Sequence, residues 1–150
     1  MDASTIMERF RVATEALQLN DALLLEYDVG ERTIAAKLQQ YLVGVFPSHD
    51  VDFEYNRRGL DPKRVTWTGV CSESDEALVL PDLVVHRRGD DQANLVVCEI
   101  KKRSATTALL ECDRQKLRAM KSAFHYDYAL LVLVPTGKDA GKDIAIENVD

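Results

Sequence analysis

The sequence has no apolar run near the roughly 20 residues that a membrane-spanning helix needs, so no span is expected. Its first residues, Met1 to Arg11, mix acidic and basic side chains in an amphipathic pattern, unlike a signal peptide. These two absences point to a cytoplasmic protein with no membrane partner. Cysteine is scarce: Cys71, Cys98 and Cys112 are an odd number with no CxxC pair, which argues against a disulfide framework and against a cysteine zinc site. Cys98, in a strand-like run, reads as core. His49 and His125 have no zinc-site spacing, and His125 reads as structural. The single tryptophan, Trp67, without aromatics at a regular interval, makes no base-stacking platform. Positive charge is also short: 19 Lys and Arg against 25 Asp and Glu give a net −6. That balance argues against a general nucleic-acid coat protein, whose affinity comes from Lys and Arg. No internal repeat or low-complexity segment is visible.

What is present suits one globular domain over residues 1–150. Hydrophobic residues make up 46% and charged residues 29% of the 150, enough for one well-filled core and far from a disordered composition. Basic residues fall in local clusters at Arg57-Arg58, Lys63-Arg64, Arg87-Arg88 and Lys101-Lys102-Arg103.

Hydrophobic spacing predicts the elements. Ile6, Phe10, Ala13 and Leu17 mark a helix from Ser4 to Leu17 behind a Ser or Thr cap. Ile34, Leu38, Tyr41, Leu42 and Val45 mark a second, from Val29 to Val45, that Pro47 ends. Val51–Arg57 alternates like a strand, with Val65–Val70 as its partner across the turn from Arg58 to Pro62; Ser72–Glu76 reads as a loop. Strands Val79–His86 and Leu95–Lys101 follow, then a helix over Thr107–Phe124. Tyr128–Val134 is apolar enough to be a strand covered on both faces. Gly137–Gly141 is a turn and Ile144–Val149 a short edge strand. The order implies an α/β sandwich on a mixed sheet with a right-handed crossover after Lys101.

Within this order one pattern carries chemistry. Pro81-Asp82 on one strand is followed by Glu99-Ile100-Lys101 on the next, joined by a turn beginning at His86. Side chains two apart share a strand face, so Glu99 and Lys101 project together while Val96, Cys98 and Ile100 face the other way. Charges in an apolar strand are costly unless paired or metal-bound. Asp82 on the neighbouring strand completes two carboxylates and an amine.

Those residues, Pro81-Asp82 and Glu99-Ile100-Lys101, resemble the signature of the PD-(D/E)XK nuclease superfamily. Residues 28 to 134 also follow that superfamily's α-β-β-β-α-β order. Asp28–Arg32, Val51–Arg57 and Pro81–Gly89 look like a group of small, uncharacterised bacterial members. The resemblance implies a restriction-endonuclease-like three-layer sandwich, a mixed central β-sheet flanked by helices, with residues 1–27 a helical extension outside the common core. It also implies a further acidic residue on the first core helix, for which Glu31 is the candidate.

Under this resemblance Asp82 and Glu99 hold Mg²⁺, with Mn²⁺ as substitute, and the Ile100 carbonyl is a third ligand. Such an ion polarises phosphoryl oxygen and acidifies bound water. Lys101 activates the water or holds the phosphate; the plainer alternative is a Glu99–Lys101 ion pair. Glu31 stands between two readings, a capping-box partner of Asp28 and a carboxylate aimed at the site. Arg114, Arg118 and Lys121 form a line on the last helix that either tracks phosphates or is a solvated face. Gln115, Arg87, Arg88 and Lys102 are further nucleic-acid contacts, with His86 beside the two arginines in a turn that could equally be plain and exposed. The expected activity is phosphodiester hydrolysis, of DNA ahead of RNA, by an endonuclease or exonuclease. The alternative is a catalytically silent module of the same fold, acting through a protein partner. Another metal-assisted phosphoryl hydrolysis ranks below both, and a homodimer would suit cutting both strands of a duplex.

Overall fold

The structure is a computed structural model that describes residues 1–55, 57, 58, 61, 62, 64, 65, 77, 78 and 80–150. Trp67, Cys71, the Ser72–Glu76 loop and the expected strand past Val65 lie outside the described residues. The elements run α1 (Ala3–Asn20), α2 (Ala22–Glu26), α3 (Glu31–Val45), β1 (Asp50–Phe53), β2 (Arg57–Arg58), β3 (Asp61–Pro62), β4 (Arg64–Val65), β5 (Ala77–Leu78), β6 (Leu83–His86), β7 (Val96–Lys102), α4 (Thr107–Phe124), β8 (Tyr128–Val134) and β9 (Ala145–Asn148).

Five strands form one mixed sheet in the order β1-β6-β7-β8-β9, with β7 and β8 parallel and the other neighbours antiparallel. The edge partner of β1 is therefore β6, where the sequence suggested Val65–Val70; Arg64 and Val65 pair instead with Ala77 and Leu78. A local turn favoured the sequential pairing, but the apolar β6 belongs in the sheet interior and takes β1 on its open side.

Strand alternation sorts the core into two layers. Leu83, Val85, Val96, Cys98, Ile100, Leu130, Val132 and Val134 face α1 and α3, while Val84, Val97, Ala129 and Leu131 face Leu117, Met120 and Phe124 of α4. The result is a five-stranded mixed sheet with helices on both faces. Residues 1–27 are part of that core: Ile6, Phe10, Ala13, Leu17 and Leu25 are buried in the larger cluster. The helix α1 is capped by Asp2, which accepts the Thr5 N–H at 2.8 Å, two residues before Ser4 and three before Thr5. No helix among the described residues is long and apolar enough to cross a membrane.

His125 closes α4 in the left-handed conformation (φ 57°), a structural role that matches its sequence reading. Cys98 is free and buried, as expected of core. Cys112 is disulfide-bonded, against the expectation drawn from the odd cysteine count.

Candidate functional site

The hairpin of β6 and β7 brings the sequence motif together. Its register pairs Leu83 with Cys98 and ends there, with Pro81 and Asp82 just before β6. Proline has no N–H to give the Ile100 carbonyl. The Ile100 N–H is taken by the Asp82 carboxylate at 2.7 Å. Backbone N–H and C=O of one strand residue leave on the same side, so the Ile100 carbonyl points to the Asp82 edge.

Because the crossover reverses direction, α4 runs back along β7 with its early turns over the end that carries Glu99 and Lys101. Asp113 and Lys116 sit there. Glu99 is buried, and Lys116 Nζ lies 2.6 Å from its Oε1. This is an ion pair by distance that lacks hydrogen-bond geometry, so Glu99 Oε1 has no hydrogen-bond partner. Burial pushes the Glu99 carboxyl well above the usual range; Lys116 pulls it down, and the adjacent Asp82 carboxylate pushes it up again.

Lys101 projects on the same face, as alternation predicts, but its partners are Asp113 (3.4 Å) and Glu31 (3.7 Å). The simple Glu99–Lys101 ion pair is not what forms: Glu99 pairs with Lys116. Burial alone would lower the Lys101 pKa, but Asp113 and Glu31 outweigh it and hold the ammonium above its ordinary value. Asp113 is raised by burial against the pull of Lys101 and Lys116, and its buried Oδ2 lacks a hydrogen-bond partner.

Glu31 opens α3 and does not close a capping box with Asp28. The N-cap is Gly30, and Asp28, at φ 55°, instead binds the Thr136 hydroxyl (2.7 Å) and Lys102 Nζ (2.9 Å). Glu31 reaches across to β7, where its Oε2 accepts the Lys102 N–H at 2.7 Å. The capping-box reading does not hold, and the Glu31 carboxylate turns to the end of β7 instead.

Asp113 and Lys116 are the residues that sequence reading missed. A signal was available: with Leu117, Met120 and Phe124 they form one stripe at helical spacing, and charges on a core-facing stripe call for a reason. Four carboxyl groups (Glu31, Asp82, Glu99, Asp113) and two ammonium groups (Lys101, Lys116) thus share one end of the sheet.

Of the expected nucleic-acid contacts, Lys102 lies beside this end, and most of the others are tied elsewhere. Arg114 is held bidentately by Glu147 of β9 (2.7 and 3.0 Å) and by Glu111, while Arg118 binds the Asp150 carbonyl and Glu111. The basic line on α4 is therefore largely a structural tie to β9 and the residues after it. Lys121 and Gln115 are half-buried on the same helix. Lys102 is paired with Asp28. Arg87 donates to the Ser48 carbonyl and Arg88 is bound by Asp50 and Asp52. Both lie past the far end of β6, about 16 to 20 Å of extended chain from Asp82.

The donor set suits a hard cation. Asp82, Glu99 and the Ile100 carbonyl offer oxygen only, the ligand type of Mg²⁺, and Glu99 Oε1 is a buried oxygen whose neighbour is the Lys116 ammonium. Lys116 stands where an ion's charge would be felt, and among the described residues no group of three His, Cys, Asp or Glu side chains converges on one point. A small set with water filling the remaining positions fits.

No protein-family model matches the chain, and no curated protein matches it. Among solved structures, the crystal structure of SSO0001 is similar, with a TM-score of 0.41 and 15% identity over 97% of this chain. The match spans 66% of that protein's length. A likeness this distant carries no argument about function.

Proposed function

We propose that the protein is a Mg²⁺-dependent nuclease of the PD-(D/E)XK type on a restriction-endonuclease-like fold, hydrolysing phosphodiester bonds in DNA ahead of RNA. The observation that carries the reading is the meeting of Asp82 and Glu99 at one end of the β6–β7 hairpin, with the second carboxyl buried and incompletely bonded. Two neighbouring carboxyls in a desolvated place repel one another unless a cation or a proton relieves them.

Asp82, Glu99 and the Ile100 carbonyl would hold the ion, which when bound supplies charge for the phosphoryl oxygens and a more acidic water. The chain's own groups do the rest. Lys101, fixed between Asp113 and Glu31, presents a permanent positive charge to the scissile phosphate and orients the attacking water. Lys116 keeps Glu99 from standing as an unpaired buried anion before the ion arrives. Glu31 fixes the end of β7 through the Lys102 N–H, holding Lys101 in place.

The test is cleavage of plasmid, single-stranded DNA and RNA in Mg²⁺ by the wild type, Asp82→Ala and Glu99→Gln. Cleavage by the wild type alone, with all three folded, supports the proposal. Cleavage by Asp82→Ala at the wild-type rate would refute it.

A second reading has its own observation. Lys116 already neutralises Glu99, so the fold can stand without an ion, as a silent module acting through a protein partner would. A folded wild type that neither binds Mn²⁺ nor cleaves, and that copurifies with one stoichiometric protein, would select it.

A further inference from the structure

Beside this end of the sheet is a cavity of about 290 Å³ lined by Arg103, Ser104, Pro135, Thr136, Asp139 and Lys142. Its place follows from the topology. The strands β7 and β8 are the parallel pair of the five-stranded sheet, so their carboxyl ends lie side by side at one end of the sheet. The chain leaves β7 toward α4 on one face, whereas after β8 it forms a short 3-10 turn, Gly137–Asp139, packed on α2 at the other. The cavity lies between these two exits, walled by the residues that follow each strand.

Three bonds hold the walls. The Arg103 N–H donates to the Val134 carbonyl at 2.9 Å, the Thr136 hydroxyl to Asp28 at 2.7 Å, and the Gln18 side chain to the Lys142 carbonyl at 2.7 Å. Asp139 is engaged by Lys142 at 2.9 Å. Among the described residues, the Arg103 guanidinium makes no hydrogen bond or ion pair, unlike Arg88, Arg114 and Arg118. A planar five-donor fork without a bonded partner, beside the Ser104 hydroxyl and a Lys142 shared with Asp139, leaves a net positive lining that matches an oxyanion, and a phosphate above all. The cavity is also of a size for a phosphate and its ester group, at the lower end of small-ligand pockets.

We propose that this crevice is a phosphate-binding subsite, with Arg103 as its principal ligand and Lys142 in support, that seats a phosphate of the nucleic-acid strand next to the bond being cut. Arg103 follows Lys101 by two residues, so about 7 Å of extended chain separates their backbones. The choice of nucleic acid rests on the proposed nuclease activity; the affinity for phosphate rests on the cavity alone.

The experiment is fluorescence anisotropy of labelled single-stranded oligonucleotides, with a 5′-phosphate or a 5′-hydroxyl, titrated with wild type, Arg103→Ala and Arg103→Lys in EDTA to prevent cleavage. Calorimetry with pyrophosphate runs alongside. The charged fork is expected to contribute enough that Arg103→Ala weakens binding about tenfold and lowers the slope of log affinity against log salt by about one. Arg103→Lys should recover part of the affinity. Loss of a 5′-phosphate preference in Arg103→Ala would identify a terminal phosphate, and equal loss on both oligonucleotides an internal diester. Pyrophosphate binding that needs Arg103, in a wild type that does not cleave, would uphold the subsite while removing the nuclease reading. Unchanged affinity and salt slope in Arg103→Ala, or no binding of any probe by folded wild type, would overturn the proposal.

Discussion

The two ends of the β6–β7 hairpin carry similar charges and treat them in opposite ways. At the turn end, Asp52 receives His86 Nε2 at 2.7 Å and the Arg88 guanidinium, which Asp50 also engages. Burial alone would raise the Asp52 pKa, but the Arg88 and His86 bonds outweigh it and hold the carboxyl below its ordinary value. At the other end Glu99 and Asp113 are both pushed up by burial, and the buried oxygen of each meets a lysine ammonium without hydrogen-bond geometry. A satisfied network stabilises the fold. An unsatisfied one, in the same sheet and within one hairpin, is where a chain departs from its own packing rules for a function.

The widest separation between the two ends should be in activity. Asp82→Ala and Glu99→Ala are expected to lower cleavage by more than about a hundredfold, whereas Asp52→Asn should leave the rate constant unchanged in a folded protein. A cleavage time course on all three checks this, and a comparable loss in Asp52→Asn would erase the distinction.

Next in size is the buried ion pair. Lys116→Met leaves Glu99 to hold a proton or stand as an unpaired anion, and should lower unfolding stability by about 1–3 kcal/mol at pH 8. Urea denaturation in EDTA measures it, and an unchanged midpoint would mean that Lys116 does not neutralise Glu99.

The two carboxyls should also respond to pH with opposite sign. Glu99 has its folded pKa above its ordinary 4.5, so from there upward the unfolded chain releases a proton that the folded one keeps, and stability falls with rising pH. The stability of Glu99→Gln relative to wild type should therefore be more favourable at pH 8 than at pH 4. Asp52 lies below its ordinary 3.8, so its contribution is present above that value and fades as pH falls through the lowered one. Asp52→Asn should lose about 1–2 kcal/mol at pH 7 and progressively less in acid. Thermal melts across pH check both, and parallel curves for the two variants would contradict the comparison.

The smallest effect is expected from the α4 arginines. Arg118→Ala, removing an exposed bond to the Asp150 carbonyl and Glu111, should change stability by less than about 0.5 kcal/mol. It should also leave oligonucleotide affinity where it was. A large loss of affinity would restore the α4 line as a phosphate track.

Much of this arrangement is legible in the sequence, for reasons of period. Alternation places Glu99 and Lys101 on one face of β7, and helical spacing marks α1, α3 and α4. The order of elements puts Asp82 beside Glu99 because a short turn leaves little choice of partner. What was not legible depends on distant residues. Nothing near Arg114 indicates Glu147, thirty-three positions on, and nothing in β1 indicates that β6 will take its edge. Lys116 was hidden differently. It lies on a stripe whose apolar members explain the helix by themselves, and only the position of α4 over β7 shows that Glu99 is its partner.

Calorimetric titration of Mn²⁺ into folded wild type, Asp82→Ala and Glu99→Gln decides whether Asp82 and Glu99 hold a cation. Wild type should bind Mn²⁺, and each variant should lose it while keeping its fold by circular dichroism. Equal affinity in all three, or no binding by folded wild type, would contradict the claim that this unsatisfied end of the hairpin is a cation site.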